Sequence, residues 1–219
     1  MISRLHYISQ DLPEKDHATL ITEACEAGVR WVQLRLKDLP KKEVKAIASD
    51  VRQICNEFQA TFILNDHVKI AAAVEADGVH IGKKDMPPAE AREILGEDII
   101  IGGTANTLED IRRLNKSGVN YIGLGPLRYT STKAQLSPVL GIEGYRHLIG
   151  HAKSEGNKLP IIAIGSVQLK DINDLLDAGV YGIAVASLIN KAEDKEAIVN
   201  NALQRLAPDI PAPQTMMNL

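Results

Sequence analysis

Apolar and polar positions along this chain follow two rhythms that take turns from end to end. Short runs rich in β-branched and aromatic residues, bounded by glycine or proline, read as buried strands. The longer stretches between them repeat apolar residues three and four apart and read as amphipathic helices. The pattern predicts strands at Leu5 to Ser9, Trp31 to Leu36, Thr61 to Leu64, Gly78 to Ile81, Ile99 to Ile101, Tyr121 to Leu124, Pro160 to Ile164 and Gly182 to Val185. Between and after them it predicts helices at Ala18 to Ala27, Lys41 to Phe58, His67 to Val74, Pro88 to Leu95, Thr107 to Lys116, Gly144 to Ser154, Leu169 to Ala178 and Glu193 to Leu206. Pro40 introduces the second helix, and Gly28, Gly118 and Gly179 stop helices before the chain enters the next strand.

Eight strand–helix units with short connections predict a single (β/α)8 TIM barrel over residues 1–207. A quasi-repeat supports it: Ala27-Gly28-Val29 and Ala178-Gly179-Val180 are echoed by Ser117-Gly118-Val119 and Ala76-Asp77-Gly78-Val79, each leading from a helix into a strand. An open doubly wound sheet would carry a glycine-rich turn directly after its first strand. The turn here is Gln10-Asp11-Leu12-Pro13, without glycine, which favours the barrel. The tail 208–219 has three prolines and no periodicity, and is expected to be mobile.

Composition narrows the setting. With 219 residues, 45% of them apolar, the chain can bury a large core, and a formal charge of −3 offers no global attraction to nucleic acid or an anionic membrane. No apolar run approaches the roughly 18 residues of a membrane span, and the N-terminus shows no secretory signal. Cys25 and Cys55 fall within helical patterns and read as buried thiols in a reducing compartment. A cytoplasmic protein is expected, and any anion it binds must be held by local groups.

In a parallel barrel the loops after the strands form one face, where reactive groups gather. On strand two, Gln33, Arg35 and Lys37 alternate with Val32, Leu34 and Leu36, so the polar set faces the lumen, where unpaired charge is costly and an anionic ligand is a natural partner. Asn65-Asp66 ends strand three, and Asp85 follows strand four. Two carboxylates at neighbouring strand tips suit a hard cation such as magnesium, although a helix N-cap and a turn would also explain them. Thr104 follows Gly102-Gly103 and offers a hydroxyl to the pocket, with Asn106 or Thr107 available to cap the next helix. Gly123-Leu124-Gly125-Pro126 opens a loop carrying Thr130, Ser131, Thr132 and Lys133, and Gly165-Ser166 and Ala186-Ser187 follow the last two strands. These loops suit phosphate capture, but an ordinary turn and serine caps are alternatives. His80 reads as a satisfied core histidine without chemistry. Two anion stations emerge, one for a diphosphate and one for a monophosphate, which points to the joining of two substrates with departure of pyrophosphate.

Gln33-Leu34-Arg35-Leu36-Lys37, Asn65-Asp66, Gly78-Val79-His80-Ile81-Gly82 with Asp85, Gly123-Leu124-Gly125-Pro126 and Thr130-Ser131-Thr132-Lys133 together resemble the thiamine phosphate synthase family over about Leu5 to Leu206. The resemblance implies a β/α barrel that couples hydroxymethylpyrimidine diphosphate to thiazole phosphate with magnesium as cofactor. Pyrophosphate leaves first and the thiazole nitrogen then attacks a pyrimidine methylene cation, so no protein nucleophile is needed. Gln33, Leu34, Arg35, Leu36, Lys37, Asn65, Thr104 and Lys133 would then contact the pyrimidine diphosphate, with Arg35, Lys37, Thr104 and Lys133 as the catalytic set. Asp66 and Asp85 would hold the metal. Thr130, Ser131, Thr132, Gly165, Ser166, Ala186 and Ser187 would surround the thiazole phosphate. The resemblance leaves the oligomeric state open, a homo-oligomer included. Two positions depart from the family pattern: Thr104 stands where serine is usual, and Gly165-Ser166 where glycines are paired. The rivals are a thiazole tautomerase and a non-catalytic regulatory paralogue on the same barrel. Thr104-Ala105-Asn106 offers no histidine after strand five, and both carboxylates are retained, which favours the synthase.

Overall fold

The computed structural model describes residues 2–129 and 138–207. Its strands are β1 (Leu5–Ile8), β2 (Trp31–Leu34), β3 (Thr61–Asn65), β4 (Gly78–Ile81), β5 (Ile100–Ala105), β6 (Tyr121–Leu124), β7 (Ile161–Ala163) and β8 (Gly182–Val185). All pairs are parallel, each strand beside the next in sequence, and β8 closes on β1 with Leu5 opposite Ile183. The helices are α1 (His17–Glu26), α2 (Lys41–Glu57), α3 (Val68–Ala73), α4 (Pro88–Leu95), α5 (Leu108–Asn115), α6 (Gly141–Ser154), α7 (Ile172–Asp177), α8 (Ser187–Asn190) and α9 (Lys195–Leu206). The predicted barrel is therefore observed. Among the described residues no helix is long and apolar enough to cross a membrane. The tail 208–219 lies outside the described residues.

Local chemistry explains most boundaries. Asp16 caps α1 by accepting from the Thr19 amide at 2.7 Å. Thr107 and Asp110 form a reciprocal capping box at α5, so the cap belongs to Thr107. Asn106 does something else: its side chain donates to the Gly125 carbonyl at the end of the neighbouring strand β6. Some bounds differ from expectation: β2 ends at Leu34 and β5 runs on to Ala105. Helix α6 starts at Gly141, the region predicted as one helix after β7 opens with a 3-10 turn at Leu169–Asp171, and the four-residue α8 precedes the final helix, which Asp194 caps.

Alternation along the strands separates two apolar layers. Val32, Leu34, Phe62, Leu64, Val79, Ile101, Ile122 and Leu124 point outward into the main core beneath the helices. Trp31, Ile63, Tyr121, Ile162 and Ala184 point inward and plug the lumen. Above that plug the inward positions turn polar, and the functional cavity begins there. Glycines make room for the plug: a Cβ on Gly102 would lie 2.2 Å from Cζ of the buried Tyr121 ring. Gly102→Ala should therefore lower the urea midpoint of unfolding by an amount equivalent to about 1–3 kcal/mol, as overpacking does. An unchanged midpoint would mean that the ring can move aside.

Candidate active site

A cavity of about 490 Å³ opens at the carboxyl ends of the strands. Its wall includes Gln33 and Arg35 from β2 and its loop, Asn65 and Asp66 after β3, and Gly82 and Asp85 after β4. Thr104 on β5 and Gly165, Ser166, Ala186 and Ser187 after β7 and β8 complete the predicted set that lines it. Residues far apart in sequence thus meet around one space.

Register sets one wall of the cavity. Gln33 pairs with Ile63, two residues before Asn65, and the Gln33 Nε2 donates to the Asn65 Oδ1 at 2.8 Å. Both amides are nearly buried, at 3% and 8% exposure. This bond fixes their orientation, leaving the Gln33 oxygen to accept and the Asn65 nitrogen to donate. Arg35 sits just beyond the end of β2. Burial lowers its pKa, while the Asp66 and Asp11 carboxylates act to raise it.

Asp66 does not cap a helix. His67 occupies the position before α3 without a side-chain cap, and Asp66 instead takes a left-handed backbone, φ 63°. Aspartate tolerates this region better than most residues, and such strain tends to gather at working sites. Asp85 folds back so that its Oδ2 accepts from the Gly82 amide at 2.9 Å. Only glycine permits this, since a Cβ at position 82 would lie 2.4 Å from that oxygen. Asp66 and Asp85 both reach towards Gly82 at the cavity wall. Burial first, and the Asp85 charge second, push the Asp66 pKa up to about 7. A half-buried carboxylate beside an exposed one forms an oxygen donor set whose repulsion a hard divalent cation would relieve. No group of three or more His, Cys, Asp or Glu side chains suited to a metal occurs among the described residues. Such an ion would complete its shell with water and ligand oxygens, which is the habit of magnesium.

His80 corrects the sequence reading in part. Both ring nitrogens are partnered, Nδ1 with the Tyr121 hydroxyl at 3.1 Å and Nε2 with the Thr104 hydroxyl at 3.0 Å, yet the ring is only half-buried and lines the cavity. Gly123 makes room for it, since a Cβ there would lie 3.0 Å from His80 Cε1. The threonine hydroxyl is thus tied to the wall, with its extra methyl accommodated. His80 was accessible to the strand alternation that singles out Gln33. Ser9, Tyr129 and Lys191 also line the cavity and carry no comparable signal in the sequence.

Leu34 and Leu36 are corrected as well. Their side chains lie in the core beneath the helices, 0% and 6% exposed, so any ligand contact from them is through backbone. Lys37 lies outside the cavity lining because β2 ends at Leu34 and the lumen-facing alternation ends with Arg35. Burial and the neighbouring Arg35 lower its pKa. Thr130, Ser131, Thr132 and Lys133 fall outside the described residues. The segment before them is held firmly: Arg128 grips Asp171 through two bonds of 2.5 and 2.6 Å, and the Ser166 hydroxyl donates to the Tyr129 carbonyl at 2.9 Å. Ser166, at φ 51°, thus uses its side chain to tie the β7 loop to the β6 loop.

The class of protein is thus a TIM barrel whose mouth gathers paired amides, an arginine and converging carboxylates around one cavity. The profile of a family described as thiamine monophosphate synthase matches residues 5–189, and this chain belongs to that family. The chain is 46% identical over 206 residues to the thiamine-phosphate synthase of Flavobacterium psychrophilum, covering 94% of this chain and 100% of that one. It is 51% identical over 174 residues to that of Phocaeicola vulgatus, covering 80% and 84% respectively. Among solved structures it superposes on a thiamine phosphate pyrophosphorylase from Pyrococcus furiosus with a TM-score of 0.79 at 33% identity, covering 93% and 95% of the two chains.

Proposed function

We infer that this chain is a thiamine phosphate synthase, condensing 4-amino-2-methyl-5-hydroxymethylpyrimidine diphosphate with 4-methyl-5-(2-phosphooxyethyl)thiazole to give thiamine phosphate and pyrophosphate. The observation that carries the reading is the Gln33–Asn65 pair beside Arg35, Asp66 and Asp85 on one cavity wall. An aminopyrimidine offers an amino N–H to the Gln33 oxygen and a ring nitrogen to the Asn65 N–H, a match for the oriented amides. As the methylene carbon–oxygen bond breaks, positive charge grows on the pyrimidine and its amino group, and the Gln33 oxygen stabilises it. Arg35 takes the diphosphate oxygens and follows the charge that builds on the leaving group. Asp66 and Asp85 would hold a magnesium ion, which when bound offsets the negative charge of the diphosphate and of the departing pyrophosphate. Gly165, Ser166, Ala186 and Ser187 face the pyrimidine side across the cavity and suit the thiazole phosphate, with Thr130, Ser131, Thr132 and Lys133 as further contacts. Lys37 and Thr104 would serve as an outer cation and a wall hydroxyl. No nucleophile from the protein is required, because holding the two reactants in line supplies the main advantage. The reading suits a reducing, cytoplasmic setting, which the buried free thiols of Cys25 and Cys55 support.

Purified protein mixed with both substrates and magnesium should release pyrophosphate and thiamine phosphate in equal amounts, and excess EDTA should abolish both. Folded protein that forms no product would overturn the activity. Undiminished turnover in EDTA would overturn the metal role alone.

A further inference from the structure

Three residues around the β1–α1 connection form a chain of hydrogen bonds that ends at the backbone of Arg35. The ladder between β1 and β2 runs as far as the Ser9 amide, which donates to the Gln33 carbonyl at 2.9 Å. Beyond this the Arg35 amide meets no carbonyl of β1 and donates instead to the Ser9 hydroxyl oxygen at 3.1 Å. That hydroxyl lies 2.8 Å from His17 Nδ1, and His17 Nε2 lies 3.0 Å from Asp11 Oδ1. A carboxylate only accepts, so Nε2 carries the proton, and in the neutral ring Nδ1 receives the Ser9 O–H. Ser9 is 1% exposed and His17 9%, whereas the Asp11 side chain is 64% exposed.

By residue type this is a serine–histidine–aspartate set, but its wiring differs from that of a nucleophile. Ser9 borders the cavity, but its hydroxyl already accepts the Arg35 amide N–H, is bonded to His17 and is almost wholly buried, so it is committed to the scaffold and not poised to attack. What the chain does control is where Arg35 begins. A one-ångström displacement at a charge-binding side chain has large kinetic effects, and this side chain departs from the last backbone position the network pins.

We propose that Ser9, His17 and Asp11 form a positioning network that sets the Arg35 guanidinium for the diphosphate group of the pyrimidine substrate. This rests on the synthase reading and deepens it. The network extends the ladder by one rung through a side chain, held by the first residue of α1 and ending at Asp11. Its members are positioning residues, since no ligand contact is ascribed to them. Their effect should fall mainly on the diphosphate side, because the chain of bonds ends at the Arg35 amide and no bond of it reaches Ser187 in the loop after β8, the other neighbour of β1.

The test measures KM for each substrate separately, and the affinity for inorganic pyrophosphate by calorimetry, in Ser9→Ala and His17→Phe proteins. Both substitutions should raise the diphosphate KM and weaken pyrophosphate binding about tenfold, the size of one lost buried hydrogen bond, and leave the thiazole phosphate KM within about twofold. The double variant should be no worse than the more affected single one, since both cut the same chain. His17→Asn, whose side-chain oxygen can replace Nδ1 as acceptor, should recover at least half of the His17→Phe loss. Equal rises in both KM values, additive effects in the double variant, or unchanged pyrophosphate binding would overturn the network. A Ser9→Ala protein that fails to fold would also overturn it, because the hydroxyl would then hold the barrel and not the arginine. Wild-type protein inactive with both substrates would instead sink the synthase reading itself.

Discussion

Asp66→Asn should lower kcat/KM by about two orders of magnitude or more, the scale on which losing one charge-stabilising group acts in an active site. Asparagine is the informative replacement. It keeps the shape, tolerates the left-handed backbone at φ 63°, and removes only the charge. Alanine would add backbone strain to the electrostatic loss and blur the result. The half-buried Asp66 carboxyl lies near the charge of the exposed Asp85, so removing one charge also removes a repulsion. In EDTA at pH 8, therefore, Asp66→Asn should melt no lower than the wild type, and preferably higher, although its turnover in magnesium collapses. That opposition of activity and stability separates a working carboxylate from a structural one. Magnesium should also protect the wild type against thermal unfolding more than it protects the variant, by mass action. Turnover within a few-fold of wild type would remove Asp66 from the site.

The barrel was legible because each of its elements is locally consistent. Period-two runs such as Trp31-Val32-Gln33-Leu34 and helix stops such as Gly28 and Gly179 agree with the closed topology that buries them. The errors fall where local pattern is silent. Helix α6 starts three residues earlier than periodicity suggests because Gly141, at φ 59°, turns the chain into the helix without a side-chain cap to announce it. Gln33 and Arg35 were readable because polar side chains in register with an inward-facing strand face demand a partner, and the carboxylates because they follow neighbouring strand ends. Ser9 and His17 were not. A serine and a histidine eight residues apart on a strand end and a helix start carry no common period, and only closure of β1 on β2 brings them to the Arg35 amide. For Leu34 and Leu36 a contiguous motif suggests contact by all its members, whereas a strand presents only every second side chain to the cavity, which leaves these two their backbone alone for contact. His80 shows the limit of assigning a residue by type. Its two hydrogen bonds satisfy it, yet those same bonds hold Thr104 at the cavity wall.

The barrel floor should make stability depend on pH through one residue. His6 is 1% exposed, stacked on Trp31 at 4.5 Å between ring centroids, with Tyr121 edge-on and its Nε2 directed at the Ser3 carbonyl at 3.1 Å. Burial, outweighing that hydrogen bond and reinforced by His80, lowers its pKa to about 3 from an ordinary 6.5. The folded state therefore prefers the neutral ring. For a depressed pKa, the stability it confers is present in full above pH 6.5 and is lost as pH falls from there towards 3. The loss should run at about 1.4 kcal/mol per pH unit once the unfolded chain is protonated, reaching on the order of 4 kcal/mol near pH 3. His6→Phe keeps an aromatic ring on Trp31 and cannot titrate. Urea unfolding of the two proteins between pH 8 and pH 5 isolates the effect, because every other titrating group is common to both. The wild type should lose about 2 kcal/mol relative to the variant over that interval. Parallel stability curves would show that the ring is already protonated in the fold, or that water reaches it. Either result would mean that the floor beneath the substrate cavity is wetter than its packing implies.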